Sequence, residues 1–413
     1  MTRAPAGRPD VTAYAWLVFA LTFGLLISDY MARQVLSALF PLLKAEWHVS
    51  DSQLGLLSGV VAAAVGLLTF PISLLADRVG RVKSIFAMAV LWSLATLLCG
   101  LARNYQEMLA ARILVGVGEA AYGSVGIAVI IGVFPQRMRA TLTGAFMAAG
   151  LAGQVLGVGI GGAVAAAHGW RSAFLAIGSA GLVLALVYPW VVKESRISEG
   201  SAPKKREPLR LRALFAGKRL KYAYVASGLQ LFVAAALPAW LPTYFVRYYD
   251  LPLSRAATLA ALFLAISGTG MVVCGMISDR LVRSLPHRAL LSAFYCLGSA
   301  LMITAAFALG PGTSQLVLLG FGMFLAAASA GPAGAIVADL TPAALHGSAF
   351  AVLTLANNAL GLAPGPIVTG WLADRIGLLG ALQWLPFASM AAAAVFLIGS
   401  RKGEATLGAT TLA

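Results

Sequence analysis

Charge is scarce in this sequence. Asp, Glu, Lys and Arg make up 11% of the 413 residues, and only 15 of those residues are acidic. Soluble domains carry roughly a quarter charged residues, so this composition excludes an ordinary soluble globular protein. Cysteine is also scarce. Cys99, Cys274 and Cys296 all lie in apolar segments, and an odd, scattered set is neither a disulfide framework nor a metal site. No G-x-x-x-x-G-K-[ST] loop occurs, so ATP does not drive this protein directly. H-E-x-x-H and G-x-S-x-G are absent too, and no nucleophile–base set is visible. An enzyme is therefore disfavoured, and no cofactor or metal is expected. The first twelve residues are polar, with Arg3, Arg8 and Asp10, and lead into an apolar run too long for a signal peptide, with no cleavage site after it.

What fills the chain is apolar. Hydrophobic residues are 60% of it, mean hydropathy is +0.86, and runs of 20 or more apolar residues recur along it. This pattern predicts an all-α polytopic membrane protein. Twelve spans are expected, near 13–42, 52–76, 82–102, 106–133, 138–167, 171–192, 219–247, 254–278, 288–310, 314–339, 343–371 and 378–400. The net charge of +15 sits in short loops between these spans, which argues against nucleic acid as a partner. Basic residues concentrate in the even-numbered loops: Arg78, Arg81 and Lys83; Arg137 and Arg139; Arg280, Arg283 and Arg288; and a central loop. The positive-inside rule then puts those loops and both termini in the cytoplasm.

The stretch Arg112-Ile113-Leu114-Val115-Gly116-Val117-Gly118-Glu119-Ala120 lies deep in the fourth span. Ionisable residues at such depth are costly and usually face a bundle interior or a wet cavity. Seven residues separate Arg112 from Glu119, about two turns or on the order of 10 Å along the axis, so they share a face. Gly116 and Gly118 let a neighbouring helix or a substrate come close. An ion pair that holds helices together is the competing structural reading.

The central loop, about 193–218, carries Lys204-Lys205-Arg206 and then Pro208-Leu209-Arg210-Leu211-Arg212. Its second part suits a short basic helix on anionic lipid, against a plain topogenic loop. The expected organisation is a tail at 1–12, a six-helix bundle at 13–192, a basic linker at 193–218, a second six-helix bundle at 219–400 and a tail at 401–413. The halves repeat weakly: Ala76-Asp77-Arg78-Val79-Gly80-Arg81 and Ser278-Asp279-Arg280-Leu281-Val282-Arg283 occupy corresponding loops. Internal repeats of this kind mark carriers with a midplane site between two halves. Gly153, Gly157 and Gly161 recur every four residues in the fifth span, a close-packing stripe. Gly157–Gly162 also fits G-x-G-x-x-G, but no strand precedes it.

These residues resemble the major facilitator superfamily over essentially the whole chain. Residues 73–81 match its loop motif G-x-L-[AG]-D-R-x-G-R except for Ser73, and Arg112, Gly116 and Gly118 match its R-x-x-x-G-x-G. Within it the chain resembles spinster-type transporters. Arg112–Ala120 is similar to their R-x-L-V-G-V-G-E-A, and His168–Phe174 and Asp51–Leu56 are similar too. The resemblance implies the fold of that superfamily, a bacterial inner-membrane setting, and substrates that include sphingosine-phosphate and lysophospholipid in relatives. It also implies a role for Glu119 in proton coupling. Where the family reads N-Y-x-D-R, this chain has Ala32 in place of the aspartate, with Asp29 three residues earlier. Asp29 stays within about 60° of the same face, and Asp29 and Arg33 stand at i, i+4 with the acid first.

The candidate proton-coupling set is Glu119, Asp29 and Arg33. Candidate substrate contacts are Arg33, Gln34, Arg112, Glu119 and Tyr122 in the first half, and Gln230, Trp240, Tyr244, Asn357 and Asn358 in the second. Interhelical bonding or packing is the competing reading for that second set. Candidate gating residues are Asp77, Arg78, Gly80, Arg81, Asp279 and Arg280. In the superfamily the loop aspartate latches the halves together; here Asp77 would meet the N-terminus of the eleventh span near Thr341-Pro342, where free N–H groups favour an anion. No acid stands ready in the fourth span for Arg81. The expected function is a proton-driven secondary carrier of a small or lipid-like substrate, working as a monomer by alternating access, with protons and membrane lipid as further partners. The alternatives are a proton-independent facilitator or exporter of amphipathic lipid and a non-cycling membrane receptor.

Overall fold

The structure, a computed structural model, describes residues 12–197, 217–282, 284–342 and 345–400; the side chains of Asp77, Ala140 and Gly347 also lie outside the described set. The tails at 1–11 and 401–413, most of the central loop with its basic residues, and Arg283 fall outside it as well. Among the described residues all regular structure is helical. In chain order the helices are α1 (Ala13–Trp47), α2 (Asp51–Val79), α3 (Arg81–Leu101), α4 (Tyr105–Glu119), α5 (Tyr122–Val133), α6 (Gln136–His168) and α7 (Trp170–Val191). They continue with α8 (Lys218–Tyr248), α9 (Leu253–Leu281), α10 (Leu285–Ala308), α11 (Thr313–Ala326), α12 (Ala330–Leu340), α13 (His346–Asn357) and α14 (Pro364–Ser400). Eleven stretches among the described residues are long and apolar enough to cross a membrane.

Several expected spans are interrupted. The fourth breaks at Ala120–Ala121, directly after Glu119, and the tenth breaks between Ala326 and Ala330. The eleventh is α-helical from His346, and the Leu345 N–H already bonds the Pro342 carbonyl at 2.8 Å ahead of it. It then passes through a π-turn, Asn358–Leu362, just before Pro364. Proline lacks the N–H that would continue the ladder, and π-turns concentrate where a helix is distorted for function. The expected eleventh and twelfth spans form one helical stretch, Ser348–Ser400, within which Gly377 is non-helical at φ 78°, ψ 159°.

Small residues set the packing. The Gly153/Gly157/Gly161 stripe lies on α1: a Cβ at Gly153 would stand 2.6 Å from the Ile27 carbonyl oxygen, one at Gly157 2.8 Å from that of Met31, and one at Gly161 2.4 Å from a Val35 methyl. Backbones this close leave no room for side chains, as in membrane helix pairs generally.

Two seams join the first half of the chain to the second. Along one, Gly55 and Gly59 of α2 abut the carbonyls of Pro366 and Ala363. Along the other, α6 runs against α9, with Gly162 on Ala257 and Leu151 on Gly268. Further along those helices, Cβ atoms at Gly144 and Gly275 would meet nothing within 4 Å. The α6–α9 seam is thus closed toward the end where α2 begins, the Asp51 end, and parted toward the end where α2 finishes, the Gly80 end.

Candidate functional site: an ion pair beside a broken helix

Arg33 of α1 donates from Nε and Nη2 to one oxygen of Glu119, Oε2, at 2.9 and 2.7 Å. Glu119 is the last residue of α4, so the helix break stands immediately beside its carboxyl group. The other oxygen, Oε1, is buried without a hydrogen-bond partner in the structure. Asp29, one turn before Arg33, is buried too, contacts Glu119 through its side chain, and leaves its own Oδ1 unpartnered. Tyr30 lies under the guanidinium, 5.3 Å from ring centroid to Cζ. Arg33 keeps a fifth of its side chain accessible while the Glu119 side chain has none. The three expected coupling residues therefore form one cluster: two acids, one cation and two unpartnered acceptors.

Thr69 of α2 donates its hydroxyl to the Ala120 carbonyl that the break frees. In the second half, Gln230 of α8 does the same at the break in the tenth span, donating to the Ala326 carbonyl at 3.1 Å. Gln230 Oε1, Asn357 Oδ1 and Asn358 Oδ1 have no partner, while Asn358 Nδ2 bonds back to the Thr354 carbonyl. Buried acceptors without donors are rare, and each calls for an explanation such as a ligand. Asn358 lies against α2, where its Cβ stands 2.7 Å from the place a Cβ would take at Gly66. Gln34, the next residue after Arg33 in α1, is half-buried.

Other expected substrate contacts are placed differently. Arg112 is fully buried, and its guanidinium donates to three main-chain carbonyls, Leu57 at 3.2 Å, Ala32 at 2.9 Å and Arg33 at 3.0 Å. It ties α4 to α1 and α2 and has no donor pattern open to a solute. Gly116 and Gly118 serve neighbouring helices, with Cβ positions 2.7 Å from Ala64 of α2 and 2.7 Å from the Trp92 nitrogen of α3. Tyr122 is buried against Trp92 and gives its hydroxyl to the Thr22 carbonyl at 2.6 Å. Trp240 bonds the Pro366 carbonyl at 3.1 Å and packs on Phe40, and Tyr244 bonds Gln315 at 3.1 Å and stacks on Tyr248. Each of these polar atoms is already used within the protein.

At the Gly80 end, the Asp77 side chain lies outside the described residues, and so does any contact it makes with α13. Arg78 is exposed, and Gly80 holds φ 102°. Arg81 donates to the Ala128 carbonyl at 3.2 Å. Glu194, beyond α7, accepts from the Arg81 and Val82 main-chain N–H groups at 2.9 and 2.8 Å and caps α3. Asp279 is exposed, with Arg288 3.9 Å away, and Arg280 is exposed as well.

Sequence reasoning missed a second charged cluster, at the Asp51 end. Asp51 is buried and receives Lys44 at 2.6 Å and both Arg247 nitrogens at 2.8 and 2.7 Å. Asp374 accepts from the Asp51 and Ser52 N–H groups, each at 2.8 Å, and from the Ser52 hydroxyl. A signal for it was present: Gly370-Trp371-Leu372-Ala373-Asp374-Arg375-Ile376-Gly377 repeats the loop motif G-x-L-[AG]-D-R-x-G.

Residues 22–366 match the family described as Major Facilitator Superfamily. A probable L-galactonate transporter of Escherichia coli (strain K12) is 29% identical over 336 residues, 77% of this chain and 73% of that one. A gallate transporter of Pseudomonas putida is 30% identical over 349 residues, 75% of each chain. The sphingosine-1-phosphate transporter SPNS2 of Danio rerio is 27% identical over 309 residues, 70% of this chain and 61% of that one. Among solved structures, a bacterial homolog to the human lysosomal transporter Spinster, inward-facing and occupied, superposes with a TM-score of 0.85 at 20% identity. That match covers 95% of this chain and 98% of the other.

Proposed function

The chain belongs to the Major Facilitator Superfamily and is an integral membrane transporter, not an enzyme; on that premise we propose that it couples solute movement to protons at the Arg33–Glu119–Asp29 cluster. The observation that carries this reading is the pair of buried carboxyl groups in contact beside the Arg33 guanidinium, each with an unpartnered oxygen. Arg33 is hydrogen-bonded to Glu119 alone of the two acids, which leaves the other carboxyl group free to hold a proton. Alternating access changes which compartment's water reaches the cluster and how closely Arg33 approaches Glu119. Such a group takes up a proton on one side and releases it on the other.

The solute is a small organic acid. The accessible fifth of Arg33 supplies a fork of donors suited to a carboxylate, and the unpartnered acceptors of Gln230, Asn357 and Asn358 suit hydroxyl donors on the same molecule. The relatives whose printed substrates are L-galactonate and gallate fit this chemistry. A second reading, an amphipathic lipid moved without obligatory protons, draws on the sphingosine-1-phosphate transporter among the relatives.

The architecture that serves this is two six-helix bundles, at 13–192 and 219–400. Reading Ser348–Ser400 as two spans joined at Gly377 gives twelve spans in all. The basic loops put the Gly80 end and both termini in the cytoplasm of a bacterial inner membrane. The parted α6–α9 seam then opens the site inward. The protein works as a monomer, and Asp77, Arg78, Gly80 and Arg81, with Asp279 and Arg280, form the cytoplasmic gate.

Paired assays in proteoliposomes test the coupling. With gallate or galactonate as the labelled solute, Glu119→Gln should abolish accumulation driven by a pH gradient while exchange of labelled for unlabelled solute persists. Undiminished gradient-driven accumulation would remove Glu119 from coupling. Uptake of lysolipid alone, indifferent to pH, would favour the second reading.

A further inference from the structure

We infer that Asp374 is a gating residue, and that residues 370–377 with Asp51, Lys44 and Arg247 form a clasp that holds the Asp51 end shut and must open once in every transport cycle. The inference rests on alternating access and not on proton coupling, so a failure of the Glu119 experiment leaves it intact.

The first turn of α2 shows what the clasp does. A helix N-terminus leaves its leading N–H groups without partners inside the helix. Here Gln53 N–H goes to the Ser50 hydroxyl at 3.1 Å, and the Gln53 side chain returns to the Ser50 N–H at 2.9 Å. That capping box leaves the N–H groups of Asp51 and Ser52. Both go to Asp374, which is more than three hundred residues away in sequence and sits near the end of the stretch that packs along α2. The cap of a first-half helix is therefore completed by the second half of the chain. An anion at a helix N-terminus gains from both the donors and the dipole.

The second arm runs the other way. The buried Asp51 carboxylate belongs to the first half, and Arg247, at the end of α8, grips it through both terminal nitrogens. Lys44 of α1 adds a third contact at 2.6 Å. Bidentate, charge-assisted contacts are the strong ones, and removing one partner strands a buried charge. Between the two arms the backbones touch: a Cβ at Gly370 would stand 2.3 Å from the Asp51 carbonyl oxygen. The α6–α9 seam, with Gly162 on Ala257, closes the same end.

The motif makes this more than an isolated contact. Leu75-Ala76-Asp77-Arg78-Val79-Gly80 and Leu372-Ala373-Asp374-Arg375-Ile376-Gly377 agree at every fixed position. Their final glycines hold nearly the same conformation, φ 102°, ψ 151° at Gly80 and φ 78°, ψ 159° at Gly377. A residue with a side chain rarely adopts such a positive φ. The same backbone turn thus follows an aspartate in the chain at opposite ends of the molecule. At the Asp51 end the aspartate is seated on a helix N-terminus across the two halves. The gate at each end is worked by a copy of one device, and the two are engaged in opposite states of the cycle.

Spin labels test this. In a background with Cys99, Cys274 and Cys296 replaced by alanine, labels at His168→Cys and Arg255→Cys report the opening of the Asp51 end by pulsed dipolar spectroscopy in lipid nanodiscs. Asp374→Asn should raise the ratio of open to closed populations at this end at least about ten-fold, the scale of losing one charge-assisted hydrogen bond. Arg247→Gln, which leaves the α2 cap intact, should shift it in the same direction and carries the test should Asp374→Asn fail to fold. Asp77→Asn should shift the ratio the opposite way. Unchanged distances in both Asp374→Asn and Arg247→Gln would overturn the inference. So would a shift shared in direction with Asp77→Asn, since that would mark general loosening rather than release of one gate.

Discussion

Arg112 offers the sharpest separation between a residue that touches solute and one that holds the frame. Lysine in its place keeps the charge but replaces a rigid five-donor fork with one compact ammonium. The carbonyls of Ala32 and Arg33 on α1 and Leu57 on α2 sit around the guanidinium at 2.9 to 3.2 Å, and a single ammonium cannot take up all three geometries. Loss of one to two bonds to a charged donor, at about 1.5–3 kcal/mol each, gives an expected destabilisation of about 1.5–6 kcal/mol. At roughly 2 °C per kcal/mol for a chain of this size, the unfolding midpoint should fall by about 3–12 °C. Tryptophan fluorescence during heating of the purified protein reads this directly. Uptake by the surviving folded fraction should keep KM within about two-fold of wild type, because no donor of Arg112 faces the solute. An unchanged midpoint together with a ten-fold rise in KM would refute the structural role and return Arg112 to the binding site.

Two further outcomes are expected. Asp77→Asn should leave the protein folded and inserted but slow transport severely, measured as initial uptake at matched protein in liposomes, because it removes the anion proposed above for the cytoplasmic gate. Gly162→Leu should drive a bulky side chain into Ala257 across the α6–α9 seam, so that the Asp51 end cannot close. Transport should fall more than about ten-fold while the protein remains monodisperse, since the severe clash is with Ala257 across the seam and the approach to Ala38 of α1 is looser. Wild-type uptake in that variant would mean the seam yields.

How much of this was legible beforehand differs residue by residue, for physical reasons. Asp29, Arg33 and Glu119 stood out because a charge within an apolar run is costly enough to be conspicuous. Arg112 was equally conspicuous and was assigned to the solute, because its true acceptors are main-chain carbonyls, which every residue carries and no sequence pattern displays. Trp240 and Tyr244 are similar: their partners, the Pro366 carbonyl and Gln315, lie on distant helices. The break after Glu119 left little trace, since Gly116, Gly118 and Gly123 read equally well as packing residues in a continuous span. The role of Glu194 has no sequence signal, because it accepts the main-chain N–H groups of Arg81 and Val82 from more than a hundred residues away. Asp374 was legible in principle. Its octet stands openly at residues 370–377, but outside the two corresponding loops of the internal repeat.

The α6–α9 seam has a consequence for the surrounding lipid. It is made of glycine, alanine and leucine contacts at one end and is parted at the other, so the protein's cross-section is unequal in the two leaflets. When the seam opens at the Asp51 end and closes at the Gly80 end, that inequality reverses, and the leaflets exchange area. The thickness of the bilayer then bears on the balance between the two arrangements, because mismatch with the hydrocarbon layer is accommodated at a modest cost.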